Sequence, residues 1–235
     1  MFERFEFPFE VVYASTLDSG NLASRFDVII LASDAELSRG LDDAPAPSRL
    51  PTEYRGTTGT MSRARTLPQL KQFVEAGGTL VAIGGASLIG LSLDLPIGNH
   101  LTAVASDGTE RPLTREVFYV PGSVLRMRVD NTTPLGYGFE PDVDVFFDQN
   151  PVFHLESQQV RRVAWFMGQA PLRSGWALGQ SFLDGGVTAI DAQLGRGRVL
   201  LFGPEITFRA QSHGTFKFLF NAIYYGNAVA SARMP

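Results

Sequence analysis

Residues 66–87 read TLPQLKQFVEAGGTLVAIGGAS, and this stretch decides the fold class. Leu67, Leu70, Phe73 and Val74 form one apolar stripe at helical spacing, which predicts a helix over 66–76. Thr66 and Gln69 stand in the T-x-x-Q spacing of a capping box, and Gly77 stands where a left-handed terminator belongs. TLVAI (79–83) follows at once as a continuous apolar run, the mark of a strand covered on both faces. Gly84-Gly85 then turns the chain toward another helix. Alternation of strand, helix, strand and turn is the repeating unit of a doubly wound parallel sheet.

Working outward, DVIILA (27–32) and VLLFG (199–203) read as further buried strands. FEVVYA (9–14) is β-branched and aromatic, with Pro8 at its start where proline is tolerated, and reads as a fourth. The opening MFERFEFPFEVVYAS thus reads as a helix end running into a strand. A last helix begins near Ser212, carries Phe216, Leu219, Phe220 and Ile223 on one stripe, and stops at Gly226. Residues 40–66 are rich in Pro, Gly, Ser and Thr and read as a long, mobile surface loop. Between 101 and 198 the texture becomes short alternating segments, VLRMRV, VDVFF, RRVAWFM and VTAIDAQL, separated by glycine turns: antiparallel β structure. The expected fold is α/β: a flavodoxin-like, mostly parallel sheet flanked by helices, with a β-rich antiparallel section inserted. Residues 1–100 form the N-terminal part, 101–198 the β-rich section, and 199–235 the closing strand and helix.

Composition narrows the function. The 235 residues are 44% hydrophobic and 19% charged, which is globular composition. A net charge of −4 without a basic block argues against a nucleic-acid or anionic-membrane partner. No stretch approaches a spanning helix, and no basic region precedes an apolar run as in a signal peptide. The absence of cysteine removes disulfides, thiolate zinc sites, iron–sulfur clusters and cysteine nucleophiles together.

Candidate chemistry is sparse. His100, His154 and His213 lie far apart in sequence and outside any zinc-binding spacing, so no metal and no cofactor is expected. Asp142 and Asp144 share one strand face, where a calcium site is conceivable and a solvated face alternating with Val143, Val145 and Phe147 is the simpler reading. The strand–turn TLVAI-GG-AS is where hydrolases and amidotransferases carry a nucleophile on a sharp elbow. Here that position is Gly84, followed by Gly85, and neither has a side chain to attack with. Ser87, three residues on, fits a helix cap better than a nucleophile. Past the last core strand, Glu205, Arg209 and His213 gather at the edge where open α/β sheets place their sites. His213 there fits a general base or a helix-start hydrogen bond.

VEAGGTLVAIGGAS resembles the strand–turn region of the class I glutamine amidotransferase-like superfamily, in particular its trehalose-utilisation-protein-like branch. FPFEVVYASTLDSGNL (7–22), RFDVIIL (25–31), LPQLKQFVEAGGTLVAIGGAS (67–87), PGSVLRMRVDNTTPLGYGF (121–139), DVDVFFDQNPVF (142–153), SGWALGQSFLDGG (174–186) and LGRGRVLLFGPEITFRAQSHGTFKFLFNAIYYG (194–226) are similar to the C-terminal region of bacterial zinc-carboxypeptidase-like proteins. The resemblance implies an accessory, amidotransferase-like domain whose partner is an upstream peptidase-like domain of an exported parent. It also implies that the family's first strand and most of its first helix precede Met1. The peptidase's zinc motif has no counterpart. The elbow nucleophile falls on Gly84, and the family's His-Pro-Glu falls on Gly203-Pro204-Glu205, so only Glu205 remains of a Cys–His–Glu triad. The expected role is therefore non-catalytic, in stability, assembly or substrate presentation, with a homo-oligomer open. Two alternatives stand beside it: a serine hydrolase or amidase using Ser87, His213 and Glu205, and a small-molecule or glycan-binding module. The latter would use the Glu205, Arg209 and His213 cleft, with Trp165 and Trp176 as stacking platforms.

Overall fold

The computed structural model describes residues 1–38, 51–52, 59–226 and 228. The N-terminal half carries α1 (Ala14–Asp18), β1 (Val28–Leu31), α2 (Thr66–Glu75), β2 (Thr79–Ile83), α3 (Ile89–Ser92) and β3 (Ile97–Asn99). Short strands β4 (Thr102–Val104) and β5 (Glu110–Pro112) form a separate hairpin. There follow β6 (Ser123–Val129), β7 (Asp142–Phe147), β8 (Phe153–Leu155), β9 (Val160–Trp165), β10 (Leu172–Ser174), β11 (Val187–Leu194) and β12 (Gly197–Phe202). Helix α4 (Phe216–Gly226) closes the described fold.

The parallel core is β1-β2-β12, with Val81 of β2 opposite Ile30 on one side and Leu200 on the other. All five residues of β2 are buried. Leu80 and Ala82 face Leu70, Phe73 and Val74 of α2, while Val81 and Ile83 face Phe218, Leu219 and Ala222 of α4. A strand sandwiched this way has no polar face, which is why TLVAI carries no alternation. The β-rich section does not stand apart: β11 pairs antiparallel with β12, and the same sheet runs on through β9 to β6, β7 and β10. The α/β expectation holds, with the antiparallel strands as a continuation of the parallel core.

Two local expectations are corrected. Residues 9–14 form no strand. A short 3-10 helix (Glu3–Phe5) leads into an unpaired segment, and Ala14 already begins α1. Just ahead of that segment, Phe7 stacks on Phe220 at 5.2 Å, and Phe5 meets Phe216 and Phe220 edge-on at 6.1 and 5.0 Å. This docking also explains α4, where the helix turns Phe218 and Ala222 into the core while the predicted stripe of Phe216 and Phe220 receives the N-terminal segment. The capping box at Thr66 does not form, because Thr66 is already helical and its hydroxyl donates to Asp18 Oδ1 (2.5 Å) and accepts from the Ser62 N–H (2.9 Å). Helix α2 itself and the left-handed Gly77 stand as read. The long loop predicted over 40–66 lies mostly outside the described residues.

Candidate functional site

Parallel strands deliver the residues that follow them to one edge of the sheet. Here Ser33 follows β1, Gly84 follows β2 and Glu205 follows β12. Gly84 has a left-handed backbone (φ 61°), the sharp bend of an elbow, and opens a 3-10 helix (Gly84–Leu88). A side chain at this position would have nowhere to go. Its Cβ would collide with Ser33 Oγ and stand 2.7 Å from Glu205 Oε1 and 3.0 Å from Ser33 Cβ. The Ser33 hydroxyl donates to Glu205 Oε1, so a hydrogen-bonded pair occupies the space of the missing side chain.

Gly203, where the sequence resemblance would put a histidine, is closed as well. Its N–H extends the β12–β11 ladder to Thr188 O (2.8 Å), and a Cβ there would run into the Pro151 carbonyl, 3.1 Å from its carbon. Backbone cannot yield as a flexible side chain can, so a histidine at 203 requires the sheet edge to move.

At the second elbow glycine, a Cβ on Gly85 would strike Glu36 Oε1 and lie 3.2 Å from Glu36 Cδ. Glu36, Leu37, Arg63, Gly85 and Ala86 line a cleft of about 100 Å³ beside the turn. An oxyanion forming at this turn would need free donors. The Ala86 N–H already donates to Ser33 O (3.2 Å), and the Glu36 and Glu205 carboxylates face the two glycines. Ser33 and Glu36 were not read from the sequence, although their place directly after an apolar strand run is the signal that finds them.

The other candidates are not brought together. Ser87 is fully buried and its hydroxyl donates to Gly84 O at 2.6 Å, tying down the turn it follows. His213 is exposed and stacks on Phe216 (5.0 Å, 28°). Arg209, exposed with a left-handed backbone (φ 48°), lays its guanidinium 5.0 Å from the Phe208 ring, which itself stacks on Phe146 at 3.7 Å. Among the described residues no hydrogen bond joins Ser87 to His213, nor either of them to Glu205. Asp142 and Asp144 pair with Arg128 and Arg126, a solvated cross-strand face. His100 sits against Asp184 O (3.1 Å); burial pulls its pKa below the ordinary histidine value, against the opposing pull of that hydrogen bond. No group of three or more His, Asp or Glu among the described residues is placed to hold a metal. Trp165 is half-buried beneath Arg162 (3.8 Å), whereas Trp176 is 54% exposed.

No protein-family model matches the chain, and no curated protein matches it. In arrangement it is similar to a Thermoplasma acidophilum protein described as a GMP synthase subunit (9% identity, 92% of this chain and 81% of that one, TM-score 0.49). It is similar as well to a ThuA-like protein of Bacteroides uniformis (11% identity, 92% and 76%, TM-score 0.46). A third likeness is to the β-galactosidase of Bacillus circulans (11% identity, 90% of this chain, TM-score 0.46), of which the chain spans only 24% of the length.

Proposed function

We propose that this chain is a non-catalytic, amidotransferase-like accessory domain of a larger, zinc-carboxypeptidase-like protein, acting in stability, assembly or substrate presentation. One observation carries the reading: both positions that should bear the nucleophile and the base are glycines whose side-chain space is filled, Gly84 by Ser33 and Glu205, Gly203 by the Pro151 carbonyl. A merely truncated site would leave a hole. This one has been repacked, and a carboxylate without imidazole and nucleophile orients nothing. The parent's chemistry then belongs to its peptidase-like part, upstream of this chain by the sequence resemblance.

The test is exposure of the chain to a fluorophosphonate probe and to ester, amide and glutamine substrates. No labelling and no turnover above background are expected. Covalent labelling of Ser33 that disappears in Glu205→Gln, or of Ser87 that disappears in His213→Ala, overturns the reading.

A further inference from the structure

Elsewhere on this surface opposite charges pair: Arg25 with Glu10, Arg111 with Asp107, Arg126 with Asp144. Beside the elbow they do not. Glu36 and Arg63 line the same cleft, yet among the described residues neither side chain makes an ion pair, a hydrogen bond or a ring contact, with the other or with any neighbour. Backbone bonds bring these two distant stretches of sequence together. The Ala86 N–H donates to Ser33 O (3.2 Å), fixing the loop after β1 to the elbow. The Ser38 N–H donates to Met61 O (2.7 Å), fixing the same loop to the segment that carries Arg63.

Gly85 makes room for one of the two charges. Unlike Gly84 it has no left-handed backbone, so no conformational demand explains its missing side chain. A Cβ there would take the place of Glu36 Oε1 and crowd Ser33 O at 3.1 Å. The glycine thus leaves a carboxylate on the cleft wall. The rest of the lining is mainly apolar, with Leu37, Ala86, Leu88 and Ile89, and Ser92 adds one neutral hydroxyl.

These walls select a ligand. An anion would gain from Arg63 and be repelled by Glu36, and a cation would meet the reverse. A molecule carrying both charges satisfies each of them, and charge-assisted hydrogen bonds are the strong ones. The space is about 100 Å³. One water needs about 10–15 Å³ of such space, so a ligand on the order of seven to ten non-hydrogen atoms fits. That size excludes an oligosaccharide or a nucleotide. Both charges, small size and an apolar lining are met together by a free α-amino acid with a small aliphatic side chain. We infer that this cleft binds such an amino acid, with Glu36 receiving its ammonium, Arg63 its carboxylate, and Leu37, Leu88 and Ile89 its side chain. The inference rests on the reading proposed above for its role, substrate presentation, and asks for no reaction at the elbow.

A chemical-shift titration of the isotope-labelled 235-residue chain with L-valine tests it, read at the Gly85 and Ala86 amides. A dissociation constant on the order of 1 mM is expected. Isovalerate, which lacks the ammonium, and isobutylamine, which lacks the carboxylate, should each bind about tenfold or more weakly. L-Glutamine, whose amide would lie against the apolar lining, should bind less tightly than valine. Glu36→Gln should weaken valine about tenfold and leave isovalerate unharmed, and Arg63→Gln should weaken valine alike and leave isobutylamine unharmed. A merely structural role for either residue would move every ligand together. Both side chains are exposed, so neither change threatens the fold, and circular dichroism confirms it. No shift at about 50 mM valine, equal binding of valine and its two fragments, a preference for glutamine, or indifference to both substitutions overturns the site. Labelling of Ser33 or Ser87 would instead sink the non-catalytic reading and leave the amino-acid site standing.

Discussion

At the C-terminal edge of β1-β2-β12 the side-chain space of Gly84 is taken by the Ser33–Glu205 pair. Ser33 bonds Glu205, Ser87 bonds Gly84 O, and the Ala86 N–H bonds Ser33 O. On the ribbon of residues 117–119 and 176–182 the opposite holds, with large apolar side chains lying open to water on a backbone pinned by Ser123. The first place is where an open α/β sheet ordinarily keeps its chemistry; the second is one where such a sheet ordinarily keeps polar side chains. A fold can retain the elbow bend after losing the reaction, since the bend is demanded by packing between strand and helix. The surface left out of register with folding needs is then the better guide to function.

The largest test of this contrast is Gly84→Cys, which returns a nucleophile to the elbow. The new side chain must adopt a left-handed backbone and push against the Ser33–Glu205 pair. Left-handed backbone costs about 1–2 kcal/mol and overpacking about 1–3 kcal/mol, so a loss of roughly 2–5 kcal/mol in urea unfolding is expected. Adding Ser33→Gly should recover part of it, a coupling that a double-mutant cycle measures. Near-neutral Gly84→Cys would mean that the edge is not full, and the contrast would collapse.

Next is Ser123→Ala, which strips Trp176 of both backbone partners. Two buried hydrogen bonds to one hydroxyl predict a loss of about 1–2 kcal/mol. Ser87→Ala belongs to the other region and is smaller. It removes one donor to a buried carbonyl, about 1 kcal/mol. Were Ser87→Ala to cost clearly more than Ser123→Ala in urea unfolding, the weights given to the two regions would be reversed.

Much of this architecture was legible from apolar pattern alone. TLVAI and VLLF are buried on both faces, and hydrophobic continuity reports that directly, whereas DVIIL at the sheet edge buries Ile29 and Leu31 and leaves Val28 and Ile30 half-buried. The two glycines at 84 and 203 were legible as absences, because a missing side chain is visible in a string of letters. What filled their space was not. Ser33 and Glu205 meet across 172 residues of chain, and a polar residue just past a strand follows no period. The 9–14 segment misled because β-branched and aromatic residues do not by themselves demand a ladder: Phe9, Val11 and Tyr13 lie exposed while Val12 and Ala14 turn to the core. Thr66 misled because a hydroxyl at helix-start spacing found Asp18 and Ser62 in place of its own helix. The inward residues Phe118 and Val120 are readable by alternation, but the face of their neighbours became apolar only when Tyr119 met Leu178.

The smallest expected effect is the most discriminating. Trp176→Ala removes the bulkiest side chain of the ribbon, and in a core position such a truncation costs about 3–5 kcal/mol. Phe147, fully buried, should behave that way. Trp176 is 54% exposed, and among the described residues its ring contact is the edge-on approach to Tyr119, worth about 0.5–1.5 kcal/mol. Its release from half-exposure also relieves water-facing apolar surface, which offsets part of that. The unfolding free energy measured in urea should therefore fall by less than about 1 kcal/mol. A stability loss near 3 kcal/mol would instead make Trp176 a misjudged core residue, and the contrast between the filled elbow and the open ribbon would lose its second half.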